Sequence, residues 1–229
     1  TTELADPSGQ GGFNKSVDPQ DALGLEAGLR WRLAEGGQGE LAGFYTRVED
    51  QLVQIPIAGQ PGRFFFVNAA SSRYRGVELS MDQPLGEDYN MALSFSWGDY
   101  RFNDFTDANG NWFDDNRIPG IPRYQLFASL EHQPGENLST TLSARWTGER
   151  YADNANSAKT GSYAVVGIHG SYRLKLPGSQ VRIYAGIDNL FDEEYDDNLR
   201  INAANQRYFE PAPERGFYLG VAVTGRARP

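Results

Sequence analysis

His132 and His169 are the only two imidazoles in this 229-residue chain, and there is no cysteine. A thiolate nucleophile, a thiolate metal site and a disulfide framework are therefore all excluded. His132 lies beside a turn-like QPGEN stretch and His169 on the polar side of an alternating segment, so both are expected to be solvated or interior side chains. No G-x-S-x-G, H-E-x-x-H or Walker lysine loop occurs. Asp107-Ala108-Asn109-Gly110-Asn111 spaces its oxygens like the start of a calcium loop. Trp112 fills the slot where such a loop needs glycine, and the distal bidentate glutamate is missing, so an Asx-rich turn is expected. The chain reads as a non-enzyme without a cofactor.

Composition narrows the class further. A net charge of −9 argues against nucleic acid, whose phosphates need a basic face. No run of about 18 apolar residues exists, which excludes a membrane helix but not a membrane strand. A spanning strand meets lipid only at every second residue, so a mean hydropathy of −0.56 is compatible with it. The 12 Tyr, 13 Phe and 4 Trp would supply the two aromatic girdles of a barrel. The same content fits a soluble or surface-displayed all-β binding or structural domain.

The elements that would carry these residues alternate with period two. Phe217, Leu219, Val221 and Val223 interleave with Tyr218, Gly220, Ala222 and Thr224. Leu23, Leu25, Ala27, Leu29 and Trp31 interleave with Gly24, Glu26, Gly28 and Arg30. This pattern predicts nine strands, at 22–33, 40–56, 64–84, 88–102, 120–132, 138–150, 163–174, 181–191 and 213–226. Short turns at Ala34–Gly39, Leu85–Asp88, Gln133–Asn137 and Lys175–Gln180 alternate with long connections at Ala58–Arg63, Phe102–Gly120, Tyr151–Ser162 and Asp192–Pro211. Outer-membrane barrels are connected in this way, with short periplasmic turns and long outer loops. Nine is odd where single-chain bacterial barrels are even, and Thr1–Gln20 lacks the apolar core of a signal peptide. The chain is thus expected to be part of a longer one.

Several stretches resemble the C-terminal half of TonB-dependent outer-membrane receptors. Asn189-Leu190-Phe191-Asp192-Glu193-Glu194-Tyr195 resembles the family's NLFDxxY at the end of the penultimate strand. Glu214-Arg215-Gly216-Phe217-Tyr218-Leu219-Gly220-Val221 resembles the family's final strand, which opens with P-x-R and alternating aromatics. Asn68-Ala69 with Arg75-Gly76-Val77-Glu78-Leu79 is similar to the N-A…RGVE strand. Ile121-Pro122-Arg123-Tyr124 and Gly24-Leu25-Glu26-Ala27-Gly28 are similar to two further strand starts. Gly225-Arg226-Ala227-Arg228-Pro229 departs from the pattern by running past the terminal aromatic at which such chains usually stop.

The resemblance implies an all-β, antiparallel, up-and-down transmembrane β-barrel, of which this chain holds about nine of 22 strands. It divides the chain into a polar extracellular loop segment (1–21), the C-terminal part of the barrel (22–226) and a short tail (227–229). It implies a ferric siderophore or ferric citrate type of receptor in the outer membrane of a Gram-negative bacterium. The partners would be a ferric chelate, outer-membrane lipid and the TonB system, the last through a plug domain absent here; nucleic acid is not among them. Cobalamin and oligosaccharide receptors belong to the same family. Ferric chelates are commonly anionic and partly planar, so loop arginines and aromatics are the candidate ligand contacts. Trp112, Phe113, Arg117, Tyr151, Arg200 and Arg207 fit that description. Asp188 and Asn189 are expected to fix a strand end through bonds to backbone, with Asp192, Glu193 and Glu194 solvated.

Overall fold

The computed structural model describes residues 14–15, 17–56, 64–107 and 110–225. In chain order the strands are β1 (Asp21–Arg32), β2 (Gln38–Pro56), β3 (Phe64–Leu85), β4 (Tyr89–Phe105), β5 (Tyr124–His132) and β6 (Leu138–Thr147). Then follow β7 (Arg150–Tyr151), β8 (Lys159–Thr160), β9 (Tyr163–Leu176), β10 (Ser179–Asp188), β11 (Asp196–Leu199), β12 (Phe209–Pro211) and β13 (Gly216–Gly225). Nine of them form one sheet in the order β1-β2-β3-β4-β5-β6-β9-β10-β13, every pair antiparallel. Each long strand lies beside the next one in the chain, an up-and-down meander. The sheet is open, with β1 and β13 at its edges.

All nine predicted strands are present, with corrections at their ends. Residues 120–123 lie outside β5, because Gly120 takes φ +83 and Pro122 cannot donate to a ladder. Residues 189–191 lie outside β10, because Asn189 turns into the left-handed region at φ 51. Residues 213–215, opened by Pro213, lie outside β13. β4 runs on to Phe105 because residues 113–118 fold back and bond to it: Phe102 donates to the Asn116 carbonyl at 3.0 Å and Ile118 to that of Tyr100 at 2.9 Å. The predicted connection at 58–63, the first 13 residues and the tail at 227–229 lie outside the described residues.

The register keeps one face apolar across the sheet. Leu29, Leu41, Leu79, Phe95, Leu126 and Trp146 stand in one cross-strand row. Leu23, Leu25, Leu29, Leu219, Val221 and Val223 are large, apolar and exposed. A β-sandwich would cover such a face with a second large sheet; among the described residues the only other sheets are the two-stranded ribbons β7-β8 and β11-β12. An apolar face this wide and this bare fits contact with lipid. Tyr45, Trp97, Tyr124 and Trp146 stand on that face toward the long loops. Trp31, Tyr89, His132 and Tyr172 stand toward the short turns, with Tyr89 stacked on His132 at 4.4 Å. Along β4, Tyr89 to Trp97 covers roughly 20 Å of membrane normal once strand tilt is allowed for.

The other face carries Gly, Ser and Thr with a few aromatics laid over glycines. Gly76 sits under Phe44, and Gly186 sits under Tyr218. Among the described residues, buried hydrophobic side chains lie toward the loop end of the sheet, where Ala70, Phe102 and Phe105 form a small core with Val53, Phe113 and Ile118 packed on it.

Candidate functional site

Among the described residues, three long connections rise from the same end of the sheet: 106–123 after β4, 148–162 after β6 and 189–215 after β10. The first is anchored by its aromatics. Phe105 packs on Phe102 at 4.9 Å and on Phe113 at 5.2 Å, and its amide donates to the Asp114 carboxylate at 2.9 Å. At its tip the Asp107 carboxylate accepts from the amide of Asn111 at 2.9 Å and from its side chain at 2.8 Å. The Asp107 carboxylate is thus engaged by the backbone and side chain of Asn111.

Asparagines then tie the connections together. Asn156, at φ 56, accepts from the Arg117 amide and donates to the Arg117 carbonyl, both at 2.8 Å. Asn116 donates to the Asn154 carbonyl at 2.8 Å. The Asn154 amide donates to Asn202 Oδ1 at 3.0 Å, and the Asn202 amide donates to the Ala152 carbonyl at 3.0 Å. The Arg150 guanidinium donates to the carbonyls of Asp196 at 2.5 Å and Asp197 at 3.1 Å. One hydrogen-bonded body therefore spans all three connections.

Under it lies an aromatic–cation group. Tyr163 stacks on Tyr195 at 4.2 Å, and the guanidiniums of Arg145 and Arg150 stand 5.8 and 5.9 Å from the Tyr163 ring. Burial pushes the Tyr195 phenol above its ordinary range. Arg145 reaches the Tyr195 hydroxyl at 3.5 Å and Asp197 at 3.6 Å.

The six predicted ligand residues divide by this geometry. Trp112 is 80% exposed at the loop tip. Phe113 is turned inward against Phe105. Arg117 and Tyr151 come together around a small recess with Tyr100, Arg123 and Glu149. Arg117 there faces Glu149 at 4.0 Å. A hydrogen bond from Lys159 holds the Glu149 carboxyl below its usual range. Arg200 pairs with Glu210, whose carboxyl is held low first by Asn198 and then by Arg200. Arg207 is exposed, with no ion pair among the described residues. Sequence reading missed Arg145, Arg150, Tyr163 and Tyr195. Arg145 was visible only as a charge on the small-residue face, and nothing local links Tyr163 to Tyr195.

No group of three or more metal-ligating side chains stands together among the described residues. The arrangement presents a stiff polar rim above a sheet with a bare apolar face. The profile of the family described as TonB dependent receptor-like, beta-barrel matches residues 2–190. This chain belongs to the TonB-dependent receptor family. Family members are outer-membrane proteins of Gram-negative bacteria, and that is where this chain resides. It is 33% identical over 203 residues to the ferrichrome outer membrane transporter/phage receptor of Escherichia coli K12, covering 80% of this chain and 26% of that protein. It is 23% identical to the ferric enterobactin receptor PirA of Pseudomonas aeruginosa, covering 92% of this chain and 29% of the relative. Among solved structures, the siderophore receptor PiuA from Acinetobacter baumannii superposes with a TM-score of 0.73 at 20% identity, over 92% of this chain and 30% of that one. The ferric citrate transporter FecA superposes with a TM-score of 0.72 at 17% identity, over 89% and 31%. These two likenesses show the fold. The receptor chain thus spans between a quarter and a third of the length of such relatives, which are transport receptors and not enzymes.

Proposed function

We propose that this chain forms part of an outer-membrane receptor that takes up a ferric siderophore or similar iron chelate, energised through TonB by way of a plug domain. The observation that carries the reading is the 33% identity to a ferrichrome transporter across 80% of the chain. In this reading residues 1–21 belong to an extracellular loop, 22–226 to the barrel and 227–229 to a tail. The interlocked loops form part of the outer mouth. Trp112 and Arg207 touch the chelate, because both stand open while Arg117 and Arg200 already face carboxylates. Asp192, Glu193, Glu194, Asp196 and Asp197 crowd the third loop, which favours a chelate of low negative charge.

The test is growth of an iron-starved, receptor-null strain carrying the full-length gene, supplied with one defined chelate at a time. Neutral hydroxamate, catecholate and citrate complexes are the iron arms; cobalamin and an oligosaccharide are the others. Rescue by an iron chelate is expected. Rescue by no iron complex would sink the assignment.

A further inference from the structure

At the loop end of the apolar face, β2, β3 and β4 carry arginines in register. Arg47 stands opposite Arg73, Arg73 opposite Arg101, and Arg101 opposite Arg117. Like charges directly opposite one another destabilise a sheet unless anions lie among them. Glu49 serves Arg47, Asp115 serves Arg73, Asp99 serves Arg75 at 2.9 Å and Arg101 at 2.8 Å, and Glu149 faces Arg117. Five guanidiniums thus share four carboxylates, and Lys159 also draws on Glu149 at 2.7 Å. The patch retains positive charge.

Its level in the fold is informative. Val77 and Trp97 are cross-strand partners at the edge of the apolar band, and Arg75 and Arg73 follow two and four residues beyond Val77. That puts them roughly 5–10 Å past the band, at the depth of lipid headgroups. Arg73 and Arg101 are mostly covered, with side chains 26% and 29% exposed. Arg47 at 60% and Arg75 at 54% are open. Tyr45, also exposed, is the direct partner of Arg75 and lies two residues from Arg47. On the other flank Leu23 is opposite Arg47 and Leu25 opposite Tyr45, both bare. A cationic pair therefore continues directly into leucines that face lipid.

We propose that Arg47 and Arg75, with Tyr45 between them, hold a phosphate of an outer-leaflet lipid whose acyl chains lie along Leu23, Leu25 and Val77. Guanidinium forks match phosphate oxygens, and basic side chains at headgroup depth bind anionic lipid. A protein partner would have to cover the adjoining apolar strip, which the membrane already covers. The site does not depend on the nature of the imported cargo.

The test uses the full-length receptor in phosphatidylcholine nanodiscs containing either diphosphorylated lipid A or the same lipid A stripped of phosphate. Native mass spectrometry counts the molecules retained. The diphosphorylated form should stay bound and the stripped form should be lost. Arg47→Gln and Arg75→Gln should each lower retention roughly 5-fold, and Arg47→Lys should lower it less. Equal retention of the two lipids by the unaltered receptor overturns the proposal, even if no variant folds. Displacement of the lipid by inorganic phosphate also overturns it, because the site would then be one for free anions.

Discussion

The ring of Tyr218 covers Gly186 so closely that a Cβ at that glycine would stand 2.5 Å from the tyrosine Cζ and hydroxyl. The two residues are register partners between β10 and β13, and His169 faces Gly186 from β9. His169 Nδ1 meets the Tyr218 hydroxyl at 2.6 Å, so three strands are joined over one missing side chain. Around Gly186 the described residues form no packed core, so this seat is a local source of side-chain packing. Gly186→Ala should cost about 1–3 kcal/mol by forcing the ring aside. Tyr218→Phe, which keeps the ring, should cost only ~1 kcal/mol. Urea unfolding of the full-length receptor in detergent measures both, and an unchanged midpoint for the alanine variant would contradict this role.

Asn189 closes β10 in a similarly local way. Its side chain donates to the Glu193 carbonyl at 2.9 Å and accepts from the Glu193 amide at 2.8 Å, while its own φ of 51 suits asparagine. Asn189→Ala removes both bonds and adds strain, together about 2 kcal/mol, or roughly 30-fold in local opening. Limited proteolysis of the 189–215 connection should speed up accordingly, with Asn189→Gly intermediate. No change in cleavage rate would show that the turn is held elsewhere.

How far these features could be read in advance follows from their range. Strict alternation, as in Leu23 to Trp31 or Phe217 to Val223, specifies strand and face because both are local. The nine strands, and the short and long connections that fall within the described residues, were legible for that reason. Asn189 was also legible, since its bonds reach only four residues. What stayed hidden depends on register between distant segments. The pairing of Asn156 with Arg117, the stack of Tyr163 on Tyr195 and the row Arg47–Arg73–Arg101 appear only once the strands are set side by side. The ligand candidates were chosen by residue type alone, which could not foresee that Phe113 turns inward or that Arg117 and Arg200 already face carboxylates.

Acid should loosen the third loop. The Arg215 backbone amide, at 2.8 Å, and then its guanidinium hold the Asp192 carboxyl below its ordinary 3.8. Asn198 and Arg200 hold that of Glu210 below 4.5. With the folded values depressed, the opened loop binds more protons, so the stabilising contribution is complete above the ordinary values and fades as pH falls through the folded ones. A spin label at Gln206 of the full-length receptor should keep its mobility down to about pH 5 and gain it below about pH 4. Asp192→Asn should remove part of that dependence. Constant mobility down to about pH 2 would dismiss the mechanism.

Asn156 is the tie with the widest reach, because it bonds both backbone groups of Arg117 from another connection. Asn156→Ala should raise hydrogen exchange across residues 110–118, by about 1–3 kcal/mol in opening energy, and leave β4 below Trp97 unchanged. Exchange rising equally along all of β4 would mean a global loss of stability.

The proposed chelate contacts make a sharper demand. Trp112 and Arg207 stand open, so Trp112→Ala and Arg207→Ala should each weaken chelate binding roughly 10-fold in the full-length receptor. Arg200 differs, because its removal also strands Glu210, an acid in an already acidic loop. If Arg200 serves the ligand directly, Arg200→Ala should weaken binding and Glu210→Gln should strengthen it by freeing the guanidinium. If the pair only stiffens the β11–β12 ribbon, both changes should weaken binding alike. Titration of the two single variants by calorimetry separates the cases, since the effect of Glu210→Gln changes sign between them while that of Arg200→Ala does not.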